Sequence, residues 1–219
     1  MPLAGTPAVL HTIHRLRAMT QADEVVVATT DSTGDDPLAD YLESQHVPVF
    51  RGSEHDVLAR YLAAAEAFDA DTIIRVTCDC PLLDPAVCDD VARLHRKELS
   101  TYTSNIAKPE WPHGLDCEIV DTKVLADSYP HTSDEEREHV TLHIRRRRSF
   151  RQAHLHGPGA PATQIRWTLD YPEDYEHLCR VFELDTEVPT LGWEAIAVLM
   201  DQDPSIARIN ACRVVPERR

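Results

Sequence analysis

No stretch of this chain approaches the roughly 20 consecutive apolar residues that a membrane-spanning helix requires, so a helical membrane span is excluded. The opening residues, MPLAGTPAVLHTIHRLRAM, lack a basic segment followed by an apolar core and a cleavage site. They do not read as a signal peptide, and a cytoplasmic protein is expected. Basic charge is also scarce: 22 Lys and Arg stand against 37 Asp and Glu, for a net charge of −15. Such a surface repels nucleic acid, and no basic patch alternates with aromatics. An anionic substrate would then need a local basic pocket or a bridging divalent cation. The six cysteines, Cys78, Cys80, Cys88, Cys117, Cys179 and Cys212, form no C-x-x-C pair and no zinc-finger spacing. They are expected to be neither bridged nor metal-bound, but mostly small buried hydrophobes. There are no internal repeats and no low-complexity segments.

What remains is 219 residues, 42% of them hydrophobic, enough for one α/β domain with a real core. Apolar β-branched runs alternate with amphipathic stretches. EVVVATT (Glu24 to Thr30), VPVF (Val47 to Phe50) and TIIRV (Thr72 to Val76) read as strands. Between and after them, helices are expected from Thr6-Pro7, from Asp36-Pro37, from Ser53 as a cap, and from Asp84-Pro85 through about Lys97. This order predicts a mostly parallel sheet with helices on both faces. After Ser100 the pattern changes. STYTSN, LDCEIV and RQAHLH read as strands, the first two joined by the proline-rich AKPEWPHG, and a small β excursion is expected at about 101–130. Ser133-x-x-Glu136 is a capping box for a helix through roughly Arg147. IRWTL reads as a final strand, before Asp170-Tyr171-Pro172 and a further helix; GWEAIAVLMDQ reads as the last.

Ligands of parallel sheets bind outside the carboxyl ends of strands. Asp79, in IIRVTCDCPLLDP, and Asp170, in RWTLDYPED, both fall at such ends. Together they can hold Mg²⁺ between protein and substrate phosphates. Taken alone, Asp170 reads rather as a plain helix cap before Pro172. Arg137, Glu138 and His139 lie on one predicted helix, where they face either a substrate or water. Arg51, Ser53, Arg75 and Asn105 lie near predicted strand ends and are either binding groups or local caps.

The segments VFRGSEHDVLARY, IIRVTCDCPLLDP, YTSN, HGLDCEIV, EREHVT and IRWTLDYPEDYE occur in an order that resembles the cytidylyltransferases of the spore-coat-polysaccharide type. These are relatives of the acylneuraminate and ketodeoxyoctonate cytidylyltransferases. The resemblance runs from residue 2 to about residue 210. It implies a nucleotide-diphosphosugar-transferase-like α/β fold and transfer of CMP from CTP to a sugar or sugar acid, with release of pyrophosphate, in surface polysaccharide synthesis. It also implies Mg²⁺ on Asp79 and Asp170. Arg51, Ser53 and Arg75 then fall on the nucleotide side, and Asn105, Asp116, Arg137, Glu138 and His139 near the sugar. The family motif has Gly before its aspartate, where this chain has Cys78, and often an aspartate where this chain has His113. A homodimer through 101–130 is implied by analogy, with Trp111 as an apolar anchor.

The resemblance carries one further expectation. Family members begin with a strand and a loop of the type A-R-x-x-S-x-R-L-P-G-K, ahead of the part that matches PLAGTPAVL. That strand is central to its sheet, so its neighbours here are expected to keep unpaired edges around an open core. A natural start roughly 20 residues upstream is expected, by the length of such a strand-loop unit. The alternative is a catalytically silent homologue that acts as a binding or structural subunit.

Overall fold

A computed structural model of the chain describes residues 1–214. The first element is a two-residue hairpin, β1 (Pro2–Leu3) with β2 (Thr6–Pro7), joined through Ala4 and Gly5 at positive φ. The helix α1 (Ala8–Leu16) follows. Pro7 is therefore the cap of α1 rather than its first helical residue. Then come β3 (Val27–Thr30), α2 (Asp36–Ser44), β4 (Val49–Gly52), α3 (Val57–Ala67) and β5 (Thr72–Arg75). Ser53 does not cap α3. Asp56 does, its carboxylate accepting from Ala59 N at 2.8 Å, while Ser53 Oγ accepts from Asp56 N at 3.0 Å. The helix α4 (Pro85–Lys97) keeps the expected bounds because Asp84 caps its first turn and Pro85 sets its first φ.

The second half holds β6 (Tyr102–Ser104), β7 (Glu118–Asp121), α5 (Thr122–Ser128), α6 (Asp134–Glu138), α7 (Leu142–Arg145), β8 (Gln152–His154), α8 (Pro172–Phe182), α9 (Trp193–Asp201) and α10 (Pro204–Ile209). The capping box of Ser133 and Glu136 is present. The helix it opens does not reach Arg147, however. It breaks at Val140, whose φ is +52°. The break turns Thr141 inward, where its hydroxyl donates to the buried Glu118 carboxylate at 2.5 Å.

The architecture is α/β. Strands β3 and β4 pair in parallel, as do β6 and β8, whereas β7 lies antiparallel between β5 and β6. The expected parallel order therefore holds for two pairs, and β7 reverses direction because the loop 105–117 folds back. Among the described residues no strand pairs with β3 on the side away from β4, or with β5 on the side away from β7. An apolar cavity of about 150 Å³ lies there, lined by Val25, Val26, Ile74, Val76 and Ile13. Val25 and Val26, expected in a strand, line this cavity and join no ladder, β3 starting at Val27.

The main apolar cluster packs Leu82, Leu115, Trp167, Leu178, Val181 and Ile196, so it joins α8 and α9 to the loops that carry the site. Trp111 packs against it, edge-on to Trp193 with ring centroids 6.0 Å apart, and donates to Leu155 O at 3.1 Å. It is turned inward and is not the exposed anchor expected from the sequence. All six cysteines are free thiols, with Cys80, Cys88 and Cys117 buried. No helix of the described residues is long and apolar enough to cross a membrane.

Candidate functional site

The loop after β5 is fixed before it reaches Asp79. Thr12, on α1, donates its hydroxyl to Cys80 O at 3.2 Å and lies 3.4 Å from Cys78 O. From the other side, Leu169 N donates to Asp79 O at 2.9 Å. That bond fastens the Asp79 backbone to the segment that leads into Asp170. The segment was expected as a strand. It forms instead a single parallel bridge, His113 to Arg166, flanked by His113 N to Ile165 O (2.9 Å) and Trp167 N to His113 O (2.6 Å). The approach needs Gly114, at φ +108°. A Cβ there would meet the Trp167 carbonyl carbon at 2.8 Å.

These backbone ties bring the two aspartates together. Thr168 Oγ1 lies 3.2 Å from Asp79 Oδ2 and 3.4 Å from Asp170 Oδ2. One hydroxyl has one proton, so it satisfies only one carboxylate at a time. Two partly exposed carboxylates that share this hydroxyl are a donor set of the hard-oxygen kind that Mg²⁺ takes, with phosphate oxygens and water completing its shell. The helix-cap explanation of Asp170 does not hold. Tyr171 occupies the cap position of α8, and its amide donates to Asp174 at 3.2 Å.

Asp174 organises the far side of the pair. Its carboxylate is fully buried and accepts both Arg166 Nε (2.8 Å) and Arg166 Nη2 (2.7 Å), with Asn210 Nδ2 at 3.0 Å. Arg166 Nη2 in turn donates to Asp170 Oδ2 at 2.6 Å, and Arg166 Nη1 donates to His113 Nδ1 at 2.8 Å. The proton of a neutral His113 is therefore on Nε2, which lies 3.5 Å from Asp116 Oδ2. Burial pushes the Asp174 carboxyl up, but the bonds from Arg166, Asn210 and the Asp170 amide outweigh it and hold it below the usual carboxylate range. A depressed folded-state value means that this stabilisation is complete above the unfolded value, about 4, and is lost as pH falls through the folded one. Unfolding free energy should thus fall below about pH 4, and Asp174→Asn should flatten that acid limb; acid titration followed by chemical denaturation measures both.

A cavity of about 1000 Å³ adjoins this network. Arg166, His113, Asp116, His139, Arg145 and Tyr102 are in its wall. Arg145 Nε is buried and has no hydrogen-bond partner among the described residues. Asp116 and His139 are thus the predicted sugar-side residues that share one cavity. The others are held elsewhere. Asn105 is buried, clasping the loop 105–117 through Leu115 O (2.7 Å) and Cys117 N (2.9 Å). Arg75 pairs with Glu118 at 2.5 Å across β5 and β7. Arg51 donates to Thr30 O and Ser32 O and pairs with Asp36 at 2.6 Å. Arg137 stacks over Tyr129 and lies 3.6 Å from Asp56, Ser53 serves the first turn of α3, and Glu138 faces solvent. Thr168, Arg166, Asp174 and Arg145 were not singled out from the sequence. The only signal for them was their closeness to Asp170 or to the basic run 145–148.

A cytidylyltransferase family profile matches residues 1–195. The spore coat polysaccharide biosynthesis protein SpsF of Bacillus subtilis (strain 168) is 33% identical over 203 residues, covering 89% of this chain and 83% of its own length. A solved cytidylyltransferase structure from Leptospira borgpetersenii serovar Hardjo-bovis (strain JB197) superposes with a TM-score of 0.88 at 26% identity, covering 94% of this chain and 88% of that one. The CMP:2-keto-3-deoxy-manno-octonic acid synthetase, solved with CTP, shares the fold at a TM-score of 0.57 and 15% identity, over 84% of this chain and 90% of that one.

Proposed function

This chain belongs to the cytidylyltransferase family, and from that membership we propose that it transfers a cytidylyl group from CTP to a sugar acid, releasing pyrophosphate, in polysaccharide biosynthesis. The observation that carries the reading is the shared Thr168 hydroxyl between Asp79 and Asp170, a pair joined to the wall of the large cavity through Arg166. An acceptor hydroxyl attacks the α-phosphorus, the bond from that phosphorus to the β-phosphate bridging oxygen breaks, pyrophosphate leaves, and the hydroxyl proton passes to solvent. Asp79 and Asp170 would hold Mg²⁺, which when bound supplies positive charge to phosphate oxygens. Thr168 keeps the two carboxylates in register, and Asp174 fixes Arg166 so that Asp170 cannot swing away. No residue needs to form a covalent intermediate.

The acceptor is placed in the cavity. Arg145 supports an acidic acceptor there, because its unpartnered Nε is a donor in want of an anion. Asp116 and His139 supply hydrogen bonds for its hydroxyls. Incubation with each of the four ribonucleoside triphosphates, Mg²⁺ and a panel of sugars and sugar acids tests the reading. CTP should give pyrophosphate and a CMP-sugar-acid by ³¹P NMR; product from none of the pairs, or only with another nucleotide, would contradict it.

The reading includes a homodimer paired through residues 101–130. Light scattering at micromolar concentration should give twice the 24.7 kDa chain mass, and a monomer would remove this part of the proposal.

A further inference from the structure

One cluster lies outside the carboxylate pair and its cavity. Glu110, from the proline-rich loop, meets His154, the last residue of β8, and His156 just beyond it. Their ligand atoms all lie within 4.8 Å of one another. Glu110 Oε2 is 3.4 Å from His154 Nε2 and 3.0 Å from His156 Nδ1. The spacing His-x-His on extended chain puts both rings on one side. We infer that Glu110, His154 and His156 form a binding site for a divalent transition metal of the Zn²⁺ class, which clamps the loop 106–112 to the end of β8.

The first argument is the geometry. Zn²⁺ bonds of about 2.0–2.1 Å to oxygen and nitrogen place tetrahedral ligand atoms about 3.3 Å apart. The separations of 3.0 and 3.4 Å from Glu110 Oε2 bracket that value. Two imidazoles and one carboxylate, with a fourth position open to water, are a donor set that suits zinc rather than Mg²⁺.

The second argument is the arrangement behind the ligands. His154 Nδ1 lies 3.1 Å from Ser104 O. A carbonyl only accepts, so Nδ1 carries the proton. The lone pair of a neutral ring is then on Nε2 and faces the Glu110 carboxylate, lone pair against lone pair. A cation between them satisfies both. A ring N–H bound to a backbone carbonyl is the usual outer partner of a metal-ligating histidine. His156 is exposed, so its proton can sit on Nε2 in water while Nδ1 faces the cluster.

The third argument is that Glu110 is held in place. Gly157 N donates to its Oε2 at 3.1 Å and Gly159 N to its carbonyl at 3.0 Å. A Cβ at position 157 would meet Glu110 O at 2.6 Å and Trp111 Nε1 at 2.7 Å, so only glycine permits the approach. The same loop carries Ile106 and Ala107 into the wall of the acceptor cavity. Metal binding would thus stiffen one wall of that cavity.

Calorimetric titration of Zn²⁺ into tag-free, chelator-stripped protein, with Co²⁺ absorption as a second readout, tests the site. We expect one equivalent bound, tetrahedral Co²⁺ bands, and a Kd weakened at least about 100-fold in His156→Ala and Glu110→Gln. His55→Ala, an exposed histidine elsewhere, should leave binding unchanged. His156 is exposed, so its variant should fold, and circular dichroism checks this. Less than about a fifth of an equivalent bound would overturn the site and leave a second proton on His154 as what fills the gap. Equal binding by wild type and both variants would overturn it too, by assigning the metal to scattered surface histidines.

Discussion

Asp79→Asn should lower turnover at least about a thousandfold, roughly 4 kcal/mol of transition-state stabilisation, without loss of fold. Asp79 is partly exposed in the loop after β5, and its position is set by Leu169 N donating to its carbonyl and by the Thr12 hydroxyl donating to the adjacent Cys80 carbonyl, rather than by its carboxylate. The substitution preserves shape and removes one charge. Asp170→Asn should act in the same direction. It should also release Arg166 Nη2 from one of its two carboxylates, while Asp174 retains the guanidinium. Thr168→Val should have a smaller effect, since it removes the hydroxyl between the aspartates and neither carboxylate. Steady-state rates with CTP and Mg²⁺, beside thermal unfolding of each variant, separate chemistry from stability. A fully active Asp79→Asn enzyme would end this assignment.

The second large effect concerns stability. Glu118 is buried and accepts from three elements: Arg75 on β5 (2.5 Å), Tyr102 on β6 (2.6 Å) and Thr141 before α7 (2.5 Å). Glu118→Ala strands the Arg75 guanidinium in a mostly buried place. Breaking one partner of such a pair costs about 3–5 kcal/mol, a large part of the roughly 5–15 kcal/mol that holds a domain folded. Glu118→Gln keeps an acceptor for the two hydroxyls and should cost less, about 1–3 kcal/mol. Denaturant midpoints at neutral pH measure both. Equal stability of all three proteins would show that the network contributes nothing net.

The local features of this fold were legible wherever one short stretch decides them. Asp84 and Pro85 set the start of α4, and Ser133 and Glu136 set the start of α6, because a cap and its partner are three residues apart or fewer. The convergence of Asp79 and Asp170 was legible because both follow apolar runs in an α/β order. What was not legible depends on partners far along the chain. Arg51, Arg75 and Asn105 have the chemistry of binding groups, but carbonyls and a carboxylate 10 to 43 residues away occupy them. The break at Val140 has no local cause; it follows from Thr141 reaching Glu118, 23 residues earlier. Likewise the role of Asp174 depends on Arg166 and on Asn210, 36 residues further on, closing around its carboxylate.

The measurement that bears most directly on the central claim is the binding of Mn²⁺, in place of Mg²⁺, followed by electron paramagnetic resonance as CTP is added. If Asp79 and Asp170 hold the metal with the nucleotide, the wild-type protein should take up one Mn²⁺ per chain on addition of CTP, and Asp79→Asn should leave the spectrum that of Mn²⁺–CTP in solution. Uptake of equal size in wild type, Asp79→Asn and Asp170→Asn, or none in the wild type, would contradict the account.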